Sequence, residues 1–386
     1  MDDLLAKIGD MSPHKKAIAF VKGLFHNRQI TYGYASTRVR ARKALILQKI
    51  FYEDLLQQRT FAGMIAMLER TYYKNVLTGG LLLDYYSPNA GSEFLEMAAE
   101  IHYKDVVNKV RSFTPKDGLP VVNMLMRKWD ILNLRTIISS RRTGKTWDQI
   151  YPYIVSAGEL TVAEMKKIAE SDPEKLYVSI KATSVGREIL AQSNRDLKGT
   201  ELEQIFIKAI KSAEVLSQLQ VILDASYYNY LQTGITSSDK DVEWIRKTVA
   251  KEIDLRNIIN TLRLKNSGIT EQAKIIPHLI KGGKVKANCI EALLKAKDYK
   301  EIVQAIRPMF KLQSDDFKSL SELEVALQQE LARERVRVFY RNPVSIATIV
   351  GFLFIKEEEM NNLRKIVRGK DYNLTPEEIK PMLVFY

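Results

Sequence analysis

The sequence has little of the chemistry from which disulfides and metal sites are built. Its 386 residues include one cysteine, Cys289, and four histidines. One cysteine cannot form an intramolecular disulfide, and structural zinc sites usually take four Cys or His ligands. The histidines are dispersed along the chain, at His14, His26, His102 and His278. We therefore predict no metal or cofactor, and the cysteine usage is typical of an intracellular protein.

Long apolar runs are also missing. The longest runs without Asp, Glu, Lys or Arg, such as Asn342–Ile355, have 14 residues, whereas a transmembrane helix needs about 20 apolar ones. We predict that any membrane role is peripheral. The N-terminal stretch around Ala17–Val21 is too short for a secretory signal. It is expected to be a short interfacial helix on lipid, a helix packed on the first module, or a disordered segment.

Catalytic motifs are absent as well. Arg142–Thr146 contains Gly-Lys-Thr, but a phosphate loop needs a glycine where Ser139 stands and a strand where a helix is predicted. No Gly-x-Gly-x-x-Gly, His-Glu-x-x-His or Gly-x-Ser-x-Gly occurs. We predict a protein that is not an enzyme and has no small-molecule substrate.

Positive charge, in contrast, is abundant. The 59 Lys and Arg exceed the 46 Asp and Glu by 13, which indicates an anionic partner such as nucleic acid, an acidic protein or a lipid surface. The densest basic stretch contains Arg38, Arg40, Arg42 and Lys43. On a helix Arg38 and Arg42 share a face and Arg40 does not. The stretch is either a patch for an anionic partner or a solvated or intramolecular face.

Hydrophobic periodicity predicts an all-α fold. From Pro343 onward apolar residues recur every three or four positions as far as Val367, which is the pattern of one long helix. We expect Pro343 in its first turn and Gly369 at its end. Alternation typical of strands occurs only in short pieces.

A segment of this helical pattern recurs three times. The copies are 133–138, 254–259 and 362–367, each with a Leu-Arg pair, and the arginines are Arg135, Arg256 and Arg364. An acidic residue precedes each arginine, at Asp130, Glu252 and Glu359. In the first and third copies a threonine follows the arginine by 11 residues and begins a predicted capping box. In the second copy that spacing is 14.

The repetition predicts three helical modules, at 1–158, 159–283 and 284–386. The resemblance of 68–73 to 223–228 further predicts an insertion near 79–120 in the first module. Two roles are open for the three arginines and their acids. They hold the corners of the modules together, or they contact a partner directly.

Two blocks of the sequence resemble a known family. Tyr32-Gly33-Tyr34-Ala35, followed by Arg38-Val39-Arg40-Ala41, is similar to the N-terminal signature of the C subunit of the archaeal and bacterial A/V-type rotary ATPases, whose eukaryotic counterpart is the d subunit. The block 356–370 resembles that family's most recognisable stretch. Together with the repeat, the resemblance runs from about residue 32 to 386.

The resemblance implies three similar helical domains around a pseudo-threefold axis, forming a funnel. It implies a non-catalytic central-stalk connector on the cytoplasmic face of the membrane, which joins the shaft of the D and F subunits to the proteolipid ring. Such a rotor part would transmit torque between ATP turnover and proton or sodium transport. The alternative from composition alone is a basic α-helical scaffold that binds nucleic acid.

Overall fold

The structure is a computed structural model that describes residues 28–79, 91–193, 199–235, 240–276 and 279–385. The N-terminal stretch around Ala17–Val21 lies outside these residues. Within them the chain is helical and contains no strand, which confirms the predicted all-α class.

The helices range from one turn to seven. In chain order they are α1 (Arg28–Lys43), α2 (Lys49–Gln57), α3 (Phe61–Leu68), α4 (Lys74–Leu77), α5 (Ser92–Phe113), α6 (Leu119–Arg142), α7 (Trp147–Ile150), α8 (Val162–Glu170), α9 (Leu176–Ala182), α10 (Ser184–Ser193), α11 (Gly199–Ala209), α12 (Ala213–Gly234), α13 (Lys240–Asn266), α14 (Gln272–Ile275), α15 (Ala287–Lys295), α16 (Tyr299–Ile306), α17 (Leu320–Arg341), α18 (Ile346–Asp371) and α19 (Pro376–Ile379). Single 3₁₀ turns occur at Tyr151–Tyr153, Pro173–Lys175 and Lys380–Met382.

Among the described residues, six long helices follow one another in the chain as three consecutive pairs, α5 with α6, α12 with α13 and α17 with α18. We call α6, α13 and α18 the inner helices, and α5, α12 and α17, which precede them in the chain, the outer helices. Inner α6 packs against outer α12, α13 against α17, and α18 against α5. Each inner helix therefore contacts the outer helix of the next pair, and the third contact returns to the first pair.

Helix α18 is the most deeply buried element. It is apolar on the predicted stripe, and in addition its charged run Lys356–Glu359 is buried. Gly351 allows close approach to α17, because a Cβ there would lie 2.5 Å from the Phe339 Cα. The buried apolar residues form one large cluster, together with a smaller one around the end of α13 and helices α15 to α17.

A buried asparagine ties each inner helix to the segment that returns beside it. The Asn133 side chain donates to the Val155 carbonyl at 2.9 Å and accepts from the Val155 amide at 3.0 Å. Asn257 makes the same two bonds to Ile280, at 2.8 and 2.9 Å. Asn362 makes them to Val384, again at 2.8 and 2.9 Å. Each asparagine thus satisfies both polar groups of a buried residue's backbone.

These asparagines define which residues of the three copies are equivalent. The distance from asparagine to the following threonine is 13 residues in every copy, ending at Thr146, Thr270 and Thr375. The second copy is therefore shifted by three residues relative to the predicted register, and Arg256 is not the counterpart of Arg135. Both predicted capping boxes, at Thr146 and Thr375, are confirmed.

Residues 79–120, predicted to hold an insertion, contain the outer helix α5. It contacts α18 as α12 contacts α6 and α17 contacts α13. The similar hexapeptides 68–73 and 223–228 lie in unlike elements, because the first spans the turn between α3 and α4 and the second lies inside α12. Their likeness therefore does not mark equivalent positions.

Candidate functional site

Three equivalent positions of the inner helices meet in a buried charged group, which we call the axial triad. Lys128, Glu252 and Glu357 each lie five residues before the asparagine of their copy. Lys128 forms an ion pair with Glu357, and both side chains are about nine-tenths buried. The positive charge of Lys128 also helps to lower the pKa of Glu252. One lysine between two glutamates thus avoids three like charges at one point.

Arg335 of α17 extends this group. Its guanidinium lies 2.9 Å from Glu252 and 2.6 Å from Glu358, and its side chain is 6% exposed. Burial alone would raise the pKa of Glu252, but Arg335, Lys128 and Arg256 outweigh it and lower the pKa to about 2. Glu252 also accepts a hydrogen bond from Tyr228 at 2.8 Å. The carboxylate is therefore held ionised by a shell of cations and one hydroxyl.

The three repeat arginines are all ion-paired with outer helices. Arg135 and Arg256 share Asp224 of α12, at 3.0 and 3.2 Å, and Arg256 also lies 3.7 Å from Glu252. Arg364 lies 3.3 Å from Glu100 of α5. All three side chains are less than one-third exposed.

A polar contact from one position of the inner helices recurs between successive helix pairs. Its members are Ser139 with Gln220 at 3.3 Å, Arg263 with Glu324 at 2.8 Å, and Arg368 with Glu96 at 2.6 Å. In the inner helices these positions lie six residues after the equivalent asparagines Asn133, Asn257 and Asn362. The last pair joins the third copy to the first, so the contacts form a closed cycle.

Glu96 and Glu100 make this closing contact the most charged of the three. Both side chains are 4% exposed, and they face Arg364 and Arg368. Burial raises the pKa of Glu100 to about 8, against the opposing effect of Arg364. Two acids therefore meet two arginines at the contact between α5 and α18.

The acidic residues that precede the repeat arginines in the sequence do not all pair with those arginines. Asp130 does not pair with Arg135; it accepts from the amides of Glu159 and Leu160 at 2.9 and 3.0 Å. Asp254, rather than Glu252, is its counterpart, because Asp254 accepts from the amides of two residues in the equivalent loop, Lys284 and Val285. Burial raises the pKa of Asp130 to about 6, although those amide bonds lower it.

Glu359 is the third member of that set. It accepts from the Leu47 amide at 2.9 Å and the Tyr73 hydroxyl at 2.8 Å, and it pairs with Lys356. Here the amide comes from the segment after α1, so the beginning of the described chain is bonded to the third inner helix.

A polar pocket of about 470 Å³ lies beside the axial triad. Its walls are the C-terminal parts of α13 and α18 and the residues of α17 that face them. Its lining includes six cationic side chains, Arg256, Arg263, Arg335, Arg364, Lys365 and Arg368, and four acidic ones, Glu252, Glu324, Glu357 and Glu358. The pocket therefore has an excess of two positive charges.

The basic stretch of α1 lies apart from this pocket. Arg38 and Arg40 are exposed, whereas Arg42 and Lys43 are partly buried. The Arg38 guanidinium stacks on Phe113, and Lys43 lies over Tyr340. The structure thus places the stretch at a surface with aromatic neighbours.

The described residues include no group of three or more His, Cys, Asp or Glu side chains placed to bind a metal ion. No helix among them is long and apolar enough to span a membrane. Gly144 lies in the turn after α6 with a positive φ of 71°, so Gly-Lys-Thr here ends a helix rather than following a strand.

Together these features define an all-helical protein whose inner and outer helices are joined by buried ion pairs. The chain belongs to the family described as ATP synthase (C/AC39) subunit, whose sequence profile matches residues 35–382. The resemblance to the C subunit of the A/V-type rotary ATPases is therefore confirmed.

Curated relatives agree with this assignment. The chain is 27% identical to the A-type ATP synthase C subunit of Methanosarcina barkeri, with 99% of each chain covered. It is 23% identical to the protein of the same name from Methanocaldococcus jannaschii, with 92% of this chain and 86% of the relative covered. We conclude that the chain is one of the subunits of an A/V-type ATPase.

Sequence reasoning missed the axial triad and the acids of α5. The triad could have been found by aligning the copies on their asparagines, which places Lys128, Glu252 and Glu357 in register. Glu96 and Glu100 carry no comparable signal, because their partners lie more than 260 residues away in the chain.

Proposed function

We propose that this protein is the non-catalytic connector at the foot of the central stalk, a socket between the shaft of the D and F subunits and the proteolipid ring. Its three modules, 1–158, 159–283 and 284–386, would surround a pseudo-threefold axis. It would rotate with the shaft and transmit torque for coupled ATP turnover and ion transport. Its place would be peripheral, at the cytoplasmic face of the membrane.

The closed cycle of helix contacts is the observation that carries this proposal. A rotor part under torque must resist separation of its helices. Because the third helix pair contacts the first, no pair in this chain is held by a single neighbour only. The closing contact is made by Arg364 and Arg368 with two buried glutamates. Arg368 donates two hydrogen bonds to the buried Glu96, at 2.7 and 2.6 Å. Leaving a buried carboxylate without its partner costs several kcal/mol, which suits such a load.

The polar pocket supplies a place for the shaft. One turn of an α-helix, with a pitch of 5.4 Å and a diameter of about 10 Å, fills roughly 420 Å³. The pocket of about 470 Å³ therefore has room for the tip of one helix. Glu252, Glu357 and Arg335 of the axial triad and its neighbour are part of the lining, so a shaft seated there would contact them.

The test is binding of the full chain to the purified D–F shaft of the same organism. We expect a dissociation constant of micromolar or tighter. Asn260 and Asn361 line the pocket and are partly exposed, so Asn260→Trp and Asn361→Trp should fill it and weaken binding at least tenfold. Asn75→Trp, at an exposed position of α4, is the matched control and should bind as the parent does.

Circular dichroism melting must show that each variant folds. Equal binding by all three variants would show that the shaft binds outside this pocket. No binding of the parent chain to either shaft or ring would overturn the connector role. Salt-sensitive binding to DNA or RNA in its place would favour the nucleic-acid scaffold.

A further inference from the structure

A small cavity of about 100 Å³ lies between helices α1, α4, α5 and α18. Its lining includes Arg42 of α1, Asn75 of α4, His102 and Lys109 of α5, and Lys356 of α18. We call it the His102 cavity. His102 and Lys356 each lie near the middle of their helix, so the cavity is apart from the ends of α5 and α18. It shares no lining residue with the polar pocket, so a shaft seated in that pocket would leave the cavity open.

His102 is a buried side chain without a hydrogen-bond partner in the part of the chain that the structure describes. It is 9% exposed, and its ring packs against that of Tyr73, with 4.1 Å between the ring centres. Neither ring nitrogen makes a hydrogen bond to any described residue. Buried polar side chains in folded proteins are nearly always hydrogen-bonded. Because the imidazole lines the cavity, a ligand in the cavity would satisfy it.

Two of the three cations that line the cavity are free to meet such a ligand. Among the described residues, no carboxylate lies within 4.0 Å of Arg42 or Lys109, whereas Lys356 forms an ion pair with Glu359. Arg42 is partly buried and Lys109 is exposed. Both side chains can therefore turn toward a group in the cavity without giving up an ion pair.

One acidic side chain also lines the cavity. Asp105 follows His102 by three residues and Lys109 follows it by seven, so all three lie on one face of α5. Asp105 is exposed. The charges of Arg42 and Lys109 together exceed that of Asp105 by one, so the cavity has a positive excess.

The surroundings of His102 determine the sign of the ligand. Burial lowers its pKa well below the usual 6.5, and the charges of Lys356, Lys109 and Arg42 lower it further. The imidazole is therefore neutral at pH 7 and has one N–H donor and one acceptor nitrogen. The same cations repel a metal ion, so the unpartnered ring is suited to an anion.

We propose that the His102 cavity binds inorganic phosphate. The N–H of His102 would donate to one phosphate oxygen, and Arg42 and Lys109 would make charge-assisted hydrogen bonds to others. One water takes up about 30 Å³ of the liquid, so a cavity of about 100 Å³ admits a phosphate but not the base and ribose of a nucleotide. Phosphate presents several oxygens to these separate donors, whereas chloride is a single atom.

The test is a titration of the full chain with inorganic phosphate, followed by NMR of isotope-labelled histidine side chains. The chain has four histidines, and His102→Gln identifies the signal of interest. We expect a saturable shift of that signal with a dissociation constant on the order of 1 mM, as two charge-assisted hydrogen bonds would give. The pKa of His102 should rise in the complex, because a nearby anion favours the imidazolium form.

Sulfate and chloride test the kind of anion. Sulfate keeps its double charge across the titration, so a rise in the pKa of His102 with sulfate cannot come from titration of the ligand. Chloride at equal ionic strength should shift the signal little. An equal response to chloride, or no saturable response to phosphate, would overturn the proposal.

Paired variants separate the cavity residues from the total charge. Arg42→Gln should weaken phosphate binding at least about tenfold. Arg40→Gln removes an exposed charge from the same helix outside the cavity and should leave the affinity unchanged. Asp105→Asn should tighten binding severalfold, because it removes the negative charge from the lining. Each variant should melt as the parent does, and equal effects of Arg40→Gln and Arg42→Gln would contradict a specific site.

ATP distinguishes free phosphate from a phosphate group carried on a nucleotide. We expect ATP to leave the His102 signal unshifted, because its base and ribose do not fit the cavity. Tighter binding of ATP than of phosphate would overturn the assignment to free phosphate. No response of His102 to phosphate in a chain that binds the D–F shaft would overturn this site and leave the connector role intact.

Discussion

Lys128 and Glu357 occupy equivalent positions of the first and third inner helices, and they form a buried ion pair. The second copy has Glu252 at this position, in contact with Arg335. Three copies of one residue type would bring like charges together at this point, so a lysine in the first copy avoids a buried repulsion between carboxylates.

The first prediction concerns this pair. Lys128→Met leaves Glu357 buried without its lysine, so we expect the free energy of unfolding to fall by about 3–5 kcal/mol. Lys128→Glu should be more damaging still. Urea unfolding followed by circular dichroism measures both. Lys247→Met, which breaks an exposed pair with Glu243, is the control and should cost no more than about 1 kcal/mol. If Lys128→Met lowers the free energy of unfolding no more than Lys247→Met does, the axial triad does not stabilise the fold as described.

The repeat arginines give a second prediction. Arg135→Ala, Arg256→Ala and Arg364→Ala should each lower the free energy of unfolding by about 1–3 kcal/mol, because each removes a cation from a buried or half-buried acid. Asp224 keeps one arginine in each of the first two variants, whereas Glu100 loses the arginine 3.3 Å from it in the third. Arg135 and Arg256 share Asp224, so their double variant should deviate from additivity, whereas Arg135 with Arg364 should be additive. Unchanged unfolding in all three single variants, combined with lost shaft binding, would assign these arginines to partner contact.

The three buried asparagines should contribute about equally to the free energy of unfolding. Each of Asn133→Ala, Asn257→Ala and Asn362→Ala removes two hydrogen bonds and leaves buried backbone groups unsatisfied, which should cost about 2–4 kcal/mol. The three losses should agree within about 1 kcal/mol, since the hydrogen-bond partners are alike. Asn75→Ala, at an exposed position, should have little effect. Widely different losses in chemical denaturation would argue against equivalent positions.

Acid should destabilise the fold through Glu252. Its pKa is lowered from 4.5 to about 2, so the folded state releases this proton more readily than the unfolded state. Its contribution to stability is full above pH 4.5 and is lost as the pH falls toward 2. The free energy of unfolding measured between about pH 5 and pH 3 should therefore decrease less steeply in Glu252→Gln, and Glu174→Gln, at an exposed position, should retain the parent slope. Parallel slopes for all three proteins would contradict this assignment.

Local signals predicted the local structure well. Helical periodicity indicated the all-α class, and Thr146 and Thr375 with their partners three residues later indicated both capping boxes. These features depend on neighbours within one turn, which a single sequence displays directly. The predicted α18 boundaries are less accurate. The helix begins at Ile346, with Ser345 as its N-cap, so Pro343 lies before it rather than in its first turn. Gly369 lies inside the helix, where its missing side chain leaves room for Ile379.

Relations between distant residues are harder to predict. The Leu-Arg pair aligns the second copy at Arg256, although Asn257 carries the structural equivalence. The constant spacing of 13 residues to the threonine is visible in the sequence, but a matching hexapeptide is a more conspicuous signal. The pairing of Arg335 with Glu252 spans 83 residues, and only the packing of α13 against α17 specifies it.

The most direct test of the connector role is a cryo-electron microscopy structure of the complete A/V-type complex purified from the membranes of its own organism. We expect density of the D or F subunits inside the polar pocket, within about 4 Å of Asn260, Gln328 and Asn361. A map in which the shaft contacts other surfaces of this chain, or in which the chain is bound to the stationary part of the complex, would contradict it.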